Sequence, residues 1–339
     1  MMLKALSECF GPCGCEEEVR KFIIEKVRPY ADRMMVDMMG NLYVYKKGAS
    51  SEKVLMLAAH MDEVGFIVSD ITADGYLKFK TVGGIDSRVL VSKNVVVGEK
   101  RVHGVIALKA VHLQTADERK NAVRESGLRI DIGAKTADEA KQYVKIGDYA
   151  TFDTSCMPFG EGRRIGKAFD DRAGCAVLCD VVREKDLPYD TYFCFTVQEE
   201  AGCRGAEIAA NRICPTAALV IEGTTCSDVS DVPAAMEVTT LGGGAALSIA
   251  DRGAYSDKTL TQKLYALAEE NGIAVQYKRT TMGGNDLRSI QRSGNGVIGA
   301  AVSVPTRYLH SPASVISEKD FESVKEIAKL FVMQAEELI

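Results

Sequence analysis

The chain has 339 residues, enough for a full hydrophobic core with one smaller unit beside it. Apolar residues are 46% and charged residues 26%, with a formal net charge of -5, so the composition is that of a globular protein without the basic footprint of a nucleic-acid binder. No apolar run approaches the roughly 20 residues that span a bilayer, and the N-terminal MMLKALSECFGPCGC has no long apolar stretch ending in a small-residue cleavage site, so the expected location is the cytoplasm.

In chain order, residues 16 to 31 (EEEVRKFIIEKVRPYA) predict a charged amphipathic helix, followed by a strand at Asn41 to Lys46 and a stronger one at Val54 to Ala59. From Phe66 to about Asp153 the texture changes. Short β-rich runs (FIVSDI, YLKFKTV, NVVVGE, GVIALKA) alternate with Gly and Asp turn signals, which predicts a compact β unit. After Gly166 the pattern returns to alternating helix and strand: AGCAVLCDVVREK as helix, TYFCFTV as buried strand, CRGAEIAANRI as helix, AALVIE as strand, TLTQKLYALAEENG as helix, GVIGAAVSV as strand, and a last helix from about Ser317. Near-continuous apolar strands between helices argue for an α/β mixed sheet covered by helices on both faces. The expected division is a catalytic α/β unit of residues 1–65 and 154–339, interrupted by a β-rich insert of residues 66–153.

Ten cysteines raise the question of a disulfide or zinc scaffold. Cys9, Cys13 and Cys15 cluster, but the rest, such as Cys175, Cys179 and Cys194, are scattered through apolar segments without paired C-x2-C spacing. They read as reduced thiols packed as small apolar residues.

The chain has only four histidines, and two of them follow predicted buried strands: His60 after VLMLAA, and His310 after VIGAAVSV and a short link. Gln198, Glu199 and Glu200 follow TYFCFTV, and Glu222 closes AALVI. Open α/β sheets bind ligands beyond the carboxyl ends of their strands, so four strands deliver imidazoles or carboxylates to one edge. A further piece is GKAFDDRAG, Gly166 to Gly174, with Asp170 and Asp171 at the bend into a helix. Singly, each has a bland alternative: an Asp pair before a helix is an N-cap, a lone His is a satisfied core or surface residue, and paired glutamates are a solvated face. Together they would be five coincidences at strand ends.

This inventory suits two divalent ions. Two such charges about 3.5 Å apart repel by roughly 5 kcal/mol even at the dielectric of water, which calls for a bridging carboxylate. The reading is Asp170 as bridge, His60 and Glu222 on one ion, and Glu200 and His310 on the other. Imidazole and carboxylate without thiolate suit zinc foremost, with cobalt or manganese as alternatives. Asp62, two residues after His60, can orient that imidazole. Glu199, left without an ion, can serve as general base.

At this point HMDEVGF at 60, GKAFDDRAG at 166, QEEAGCRGA at 198, IEGTTCSDVSDVP at 221, GGND at 283 and PTRYLHSP at 305 together resemble the M42 metallo-aminopeptidases, over essentially the whole chain. The resemblance implies a phosphopeptidase-like α/β catalytic domain with an inserted small β-barrel domain. It implies two metals on the equivalents of His60, Asp170, Glu200, Glu222 and His310, with Glu199 as base. It also implies short peptides as substrates and dimers that assemble into hollow tetrahedral dodecamers, the insert serving dimerisation and assembly. The chain departs from the family pattern in places. Leu287 and Arg288 follow Asp286 where a small pair is usual, which makes Asp286 and Arg288 the substrate-pocket candidates; Arg288 either pairs with an acidic first side chain or forms a surface salt bridge. Lys109 to Leu113 and Cys13 to Glu16 also differ, and Glu222 stands where relatives often have Asp.

Two rival activities share parts of this inventory. Dinuclear carboxypeptidases and deacylases place the bridging aspartate closer to the first histidine, whereas Asp170 lies 110 residues after His60 with the insert between. An endoglucanase needs two carboxyls flanking a sugar bond and leaves both histidines and Asp170 without a task.

Overall fold

The computed structural model describes residues 2–339. Its strands in chain order are β1 (Arg33–Val36), β2 (Leu42–Lys46) and β3 (Ser50–His60), then β4 (Gly65–Ile71), β5 (Leu77–Val82), β6 (Asn94–Val97), β7 (Val102–Ala107), β8 (Arg129–Asp131) and β9 (Tyr149–Phe152). There follow β10 (Met157–Pro158), β11 (Arg163–Gly166), β12 (Tyr189–Thr196), β13 (Ala217–Thr225), β14 (Ala245–Ser248), β15 (Val275–Tyr277), β16 (Ile298–Arg307) and β17 (Ser314–Ser317). The helices are α1 (Met2–Glu8), α2 (Glu17–Val27), the short α3 (Ala116–Lys120) and α4 (Ala137–Ala140), α5 (Phe169–Val181), α6 (Arg204–Ile213), α7 (Lys258–Glu270), α8 (Leu287–Ile290), α9 (Glu318–Met333) and α10 (Ala335–Leu338).

Eleven strands form one mixed sheet in the order β1-β2-β12-β3-β13-β16-β17-β11-β10, with β14 pairing β16 and β15 pairing β14. At its centre β12, β3, β13 and β16 run parallel, so their carboxyl ends share one edge. Period-two alternation sends successive side chains to opposite faces. Leu55, Leu57, Phe193, Phe195, Leu219 and Ile221 join the core under α1, α2, α5, α7 and α9, while Met56, Ala58, Cys194, Ala218 and Val220 pack against α6 and α8. Both faces are thus covered, and truncating one of these buried phenylalanines would cost about 3–5 kcal/mol. Cys175, Cys179 and Cys194 are buried free thiols within these cores.

Strands β4 to β9 close a six-stranded antiparallel barrel in the order β4-β5-β8-β7-β6-β9, with its own core around Phe66, Phe79, Phe152, Val95 and Ile130. The barrel occupies Gly65 to Phe152.

A buried polar cluster joins these parts at the end of β3. Arg172, fully buried in α5, donates to the carbonyls of Met61, Leu6, Cys9 and Gly11. Glu63 accepts from Lys167 Nζ at 2.6 and 2.8 Å, from Arg172 at 3.2 Å and from the barrel residue Thr151 at 2.8 Å. Each charge is partnered, which is the condition under which buried charges are tolerated. No helix of the described residues is long and apolar enough to cross a membrane.

Candidate active site

His60 is the last residue of β3, Gln198 to Glu200 form the turn after β12, Glu222 lies within β13, and His310 sits in the turn between β16 and β17. Two of these strands run further than their apolar stretches, because β3 pairs β12 through His60 and β13 pairs β16 through Thr225. Asp170 and Asp171 keep non-helical backbone angles at the start of α5, and the peptide between them is cis.

The Asp pair divides its work. Asp171 Oδ1 accepts the Gly174 amide at 2.9 Å, the capping role expected of an aspartate before a helix. Its carboxylate lies so close that a Cβ on Gly174 would stand 2.4 Å from Oδ2, so only glycine fits there. Asp170 turns instead to the histidines. Its Oδ1 is 3.2 Å from His60 Nε2 and its Oδ2 is 3.1 Å from His310 Nε2. His60 Nε2 also lies 3.1 Å from Glu222 Oε1, and His310 Nε2 lies 3.2 Å from Glu200 Oε1. The result is two triads, His60–Asp170–Glu222 and His310–Asp170–Glu200, sharing one carboxylate. Asp171 stands beside the first, with a donor atom near His60 and Glu222.

Both imidazoles are oriented by carbonyl oxygens. His60 Nδ1 donates to the Asp62 carbonyl at 3.0 Å, and His310 Nδ1 donates to the Gly84 carbonyl at 2.7 Å, just after β5 of the barrel. A carbonyl only accepts, so each Nδ1 carries a hydrogen, and each Nε2 is turned to the carboxylates, where it can ligate once it has lost its own proton. The Asp62 carboxylate is 3.4 Å from His60 Nδ1, but its closer partners are the amides of Glu199 and Glu200, at 3.0 Å each. Asp62 therefore orients the imidazole through its main chain and the two glutamates through its side chain.

The electrostatics call for cations. Five carboxylates (Asp170, Asp171, Glu199, Glu200 and Glu222) converge on two imidazoles. Burial pushes Glu222 up to about 8 and holds Glu199, Asp171 and Glu200 above the usual carboxylate range. Burial works against the charge on His310, but Asp170 and Glu200 outweigh it and raise the imidazole to about 11. Asp170, although buried, is held low by His310 and His60. Glu222 Oε2 and Asp171 Oδ2 are buried without a hydrogen-bond partner among the described residues. Such oxygens are costly as they stand, and divalent ions would satisfy them. The donors are imidazole nitrogen and carboxylate oxygen, a set that fits borderline divalent ions.

Asp170, Glu199, Glu200, Glu222 and His310 line a cleft of 290 Å³, together with Cys203, Thr224, Gly283, Gly284, Arg288 and Leu309, while His60 and Asp171 lie buried behind it. A larger depression of 670 Å³ lies beside the barrel, where Arg101 and Glu18 already pair with each other. Arg288 faces the cleft, and its Nε is buried without a hydrogen-bond partner among the described residues. Asp286 lies deeper, 1% exposed, where Oδ2 accepts the Thr196 hydroxyl at 2.6 Å. Asp171, Cys203 and Gly84 are not among the site residues expected from the sequence. Asp171 and Cys203 stood inside the quoted motifs; Gly84 acts through its main chain and leaves no signal in side-chain chemistry.

Residues 40–327 match the family described as M42 glutamyl aminopeptidase. The chain belongs to that family. The lysyl aminopeptidase of Pyrococcus furiosus is 27% identical, over 97% of this chain and 95% of that one. The TET aminopeptidase of Thaumarchaeota archaeon SCGC AB-539-E09 superposes with a TM-score of 0.95 at 36% identity, covering 98% and 95% of the two chains. Pyrococcus horikoshii TET1 peptidase, which can assemble into a tetrahedron or a large octahedral shell, superposes with a TM-score of 0.86 at 34% identity, covering 98% of each. A similar Thermotoga maritima protein carries the name endoglucanase. Family and neighbours agree on the chemistry expected from the M42 motifs: this M42 protein is a metal-dependent aminopeptidase, a hydrolase of peptide bonds.

Proposed function

We propose that this M42 aminopeptidase works with two divalent ions per chain and releases the first residue of short peptides. The observation that carries the reading is Asp170, whose two oxygens face the Nε2 atoms of two different histidines. His60 and Glu222 would hold one ion, His310 and Glu200 the other, with Asp170 between them. Zinc suits these donors best, with cobalt and manganese as alternatives. When bound, such ions supply Lewis-acid polarisation of the scissile carbonyl and lower the pKa of water.

The chain's own residues supply positioning and proton transfer. Glu199 faces the cleft beside Glu200 and pairs with neither histidine. It takes a proton from the attacking water and returns it to the departing amine nitrogen. Burial of its carboxyl favours the protonated form and so strengthens it as a base. Asp62 holds the glutamate turn. Arg288 would bind an acidic side chain at the substrate's N-terminus, a reading supported by its unpartnered Nε at the cleft wall.

An endoglucanase would have no use for two oriented imidazoles sharing an aspartate. Assembly into a homo-oligomer, a dodecamer built from dimers through residues 66–153, is part of the proposal. It is supported by the Pyrococcus horikoshii neighbour and by Val111 and Leu113, which are 65% and 62% exposed on the insert. A cytoplasmic location accords with ten free cysteines.

The test joins activity to metal content. Metal-supplemented protein should release amino acids from dipeptides and no reducing sugar from cellulose, and Asp170→Asn should lose both ions together. Two tightly held ions in Asp170→Asn would remove the bridging assignment.

A further inference from the structure

The mechanism above leaves a buried thiol without a task. Cys203 immediately precedes α6, in a left-handed backbone conformation (φ 58), and is 3% exposed. Its Sγ donates to Glu199 Oε1 at 3.2 Å. Asp286 completes a trio: one donor atom from each of Glu199, Cys203 and Asp286 lies within 4.8 Å of the others. Asp286 Oδ2 is used by Thr196, but Oδ1 is buried and has no hydrogen-bond partner among the described residues. A carboxylate 99% out of solvent with an idle oxygen carries a desolvation cost that a cation would offset. The trio shares no residue with the two histidine triads. It also differs in chemistry, because it offers sulfur where the triads offer only nitrogen and oxygen. Glu199 and Cys203 both line the cleft, so the site opens toward solvent on the side from which substrate arrives.

We propose that Glu199, Cys203 and Asp286 form a separate inhibitory site for a thiophilic divalent cation such as cadmium or excess zinc. Sulfur with two carboxylates is a donor set that such ions accept and that magnesium or calcium would not prefer. On binding, the Cys203 thiol releases its proton to solvent as the metal–sulfur bond forms; no electron is transferred and the ion keeps its charge. The ion ties up the Glu199 carboxylate and removes it from proton transfer, so the peptidase stops while its catalytic ions stay in place. The loss of rate rests on the role proposed for Glu199; the binding of the ion does not.

The experiment uses the holoprotein carrying Cys214→Ser, which removes the exposed cysteine. Cadmium chloride is titrated in while the ultraviolet charge-transfer absorption of cadmium–thiolate bonds and the aminopeptidase rate are both followed. Cadmium that exchanges into the histidine triads gives no such band, because they contain no sulfur. The expected result is a band that saturates with one equivalent as the rate falls in step. Cys203→Ser in the same background keeps a hydroxyl beside Glu199, should lose that band, and should need about tenfold or more cadmium for half-inhibition. Asp286→Asn keeps the thiol and should weaken the same band, which covers the case of a poorly folded serine variant. A band unchanged in both variants overturns the proposal, as does a Cys203-dependent band with an undiminished rate. Should the untreated holoprotein release no amino acid from any peptide, the aminopeptidase mechanism fails instead, and the band still decides whether the site exists.

Discussion

The Asp62 carboxylate accepts the backbone amides of both Glu199 and Glu200, at 3.0 Å each, one oxygen to each amide. One buried side chain thus fixes the main chain under two adjacent glutamates of the cleft. The turn needs such support, since Gln198 within it and Cys203 after it both adopt left-handed conformations, which cost a non-glycine residue about 1–3 kcal/mol. Asp62→Asn presents an amide group to one of the two N–H donors and leaves that part-buried donor without its partner. The expected cost is about 1–3 kcal/mol of stability, together with a fall in kcat under saturating metal. Denaturant unfolding and steady-state kinetics check this, and a variant unchanged in both would show that the turn holds itself.

Glu199 and Glu200 should separate cleanly. Glu199→Gln keeps size and shape but cannot take the proton, so kcat should fall by about 10²- to 10⁴-fold with metal content unchanged. Glu200→Gln removes a donor from the His310 triad and should lose one ion first. Elemental analysis beside kcat for both variants decides the matter. Metal loss in Glu199→Gln with an intact rate per bound cluster would reverse the two roles.

Metal uptake should depend steeply on pH. In the metal-free site His310 is raised to about 11, with burial opposing and Asp170 and Glu200 prevailing, and burial raises Glu222 to about 8. Both groups then carry a proton near neutrality, and both must shed it if they ligate as proposed. Binding therefore releases protons, so affinity rises with pH and weakens on acidification. Calorimetric titration in buffers of different ionisation enthalpy measures the protons released. A heat independent of the buffer would contradict these protonation states.

Arg288 should bias the choice of substrate. Its stem packs on Gly253, where a Cβ would stand 3.0 Å from Arg288 Cβ and Cδ, and its Nε has no hydrogen-bond partner among the described residues. Arg288→Ala should lower the ratio of glutamyl to leucyl hydrolysis by about tenfold, the worth of one charge-assisted hydrogen bond. An unchanged ratio would return Arg288 to a role on the protein surface.

Much of the site was legible because its chemistry lies at the carboxyl ends of apolar strands, and such strands announce themselves by residue type. His60, Glu200 and His310 come together as their strand ends predict, and the β-rich texture from Phe66 coincides with a closed barrel. The helix expected over residues 16 to 31 ends at Val27 and passes into a 3₁₀ turn with Pro29, whose ring prevents the regular ladder from continuing. Strands β10, β14 and β15 have only two to four residues, too short for any period to show, and depend on their partners for definition. Asp62 illustrates the other limit. Its nearness to His60 in sequence suggested an orienting partner for the imidazole, whereas its carboxylate serves amides 137 and 138 residues away, a relation that only the packed turn creates.

The carbonyl that holds His310 belongs to Gly84, inside the segment that elsewhere reads as a separate barrel. The barrel is therefore not an interchangeable cassette. A chimera that grafts a relative's barrel between Gly65 and Phe152 would have to reproduce the path of the chain just after its second strand. Without that path, an imidazole more than two hundred residues downstream loses its anchor and is free to swing out of the cleft.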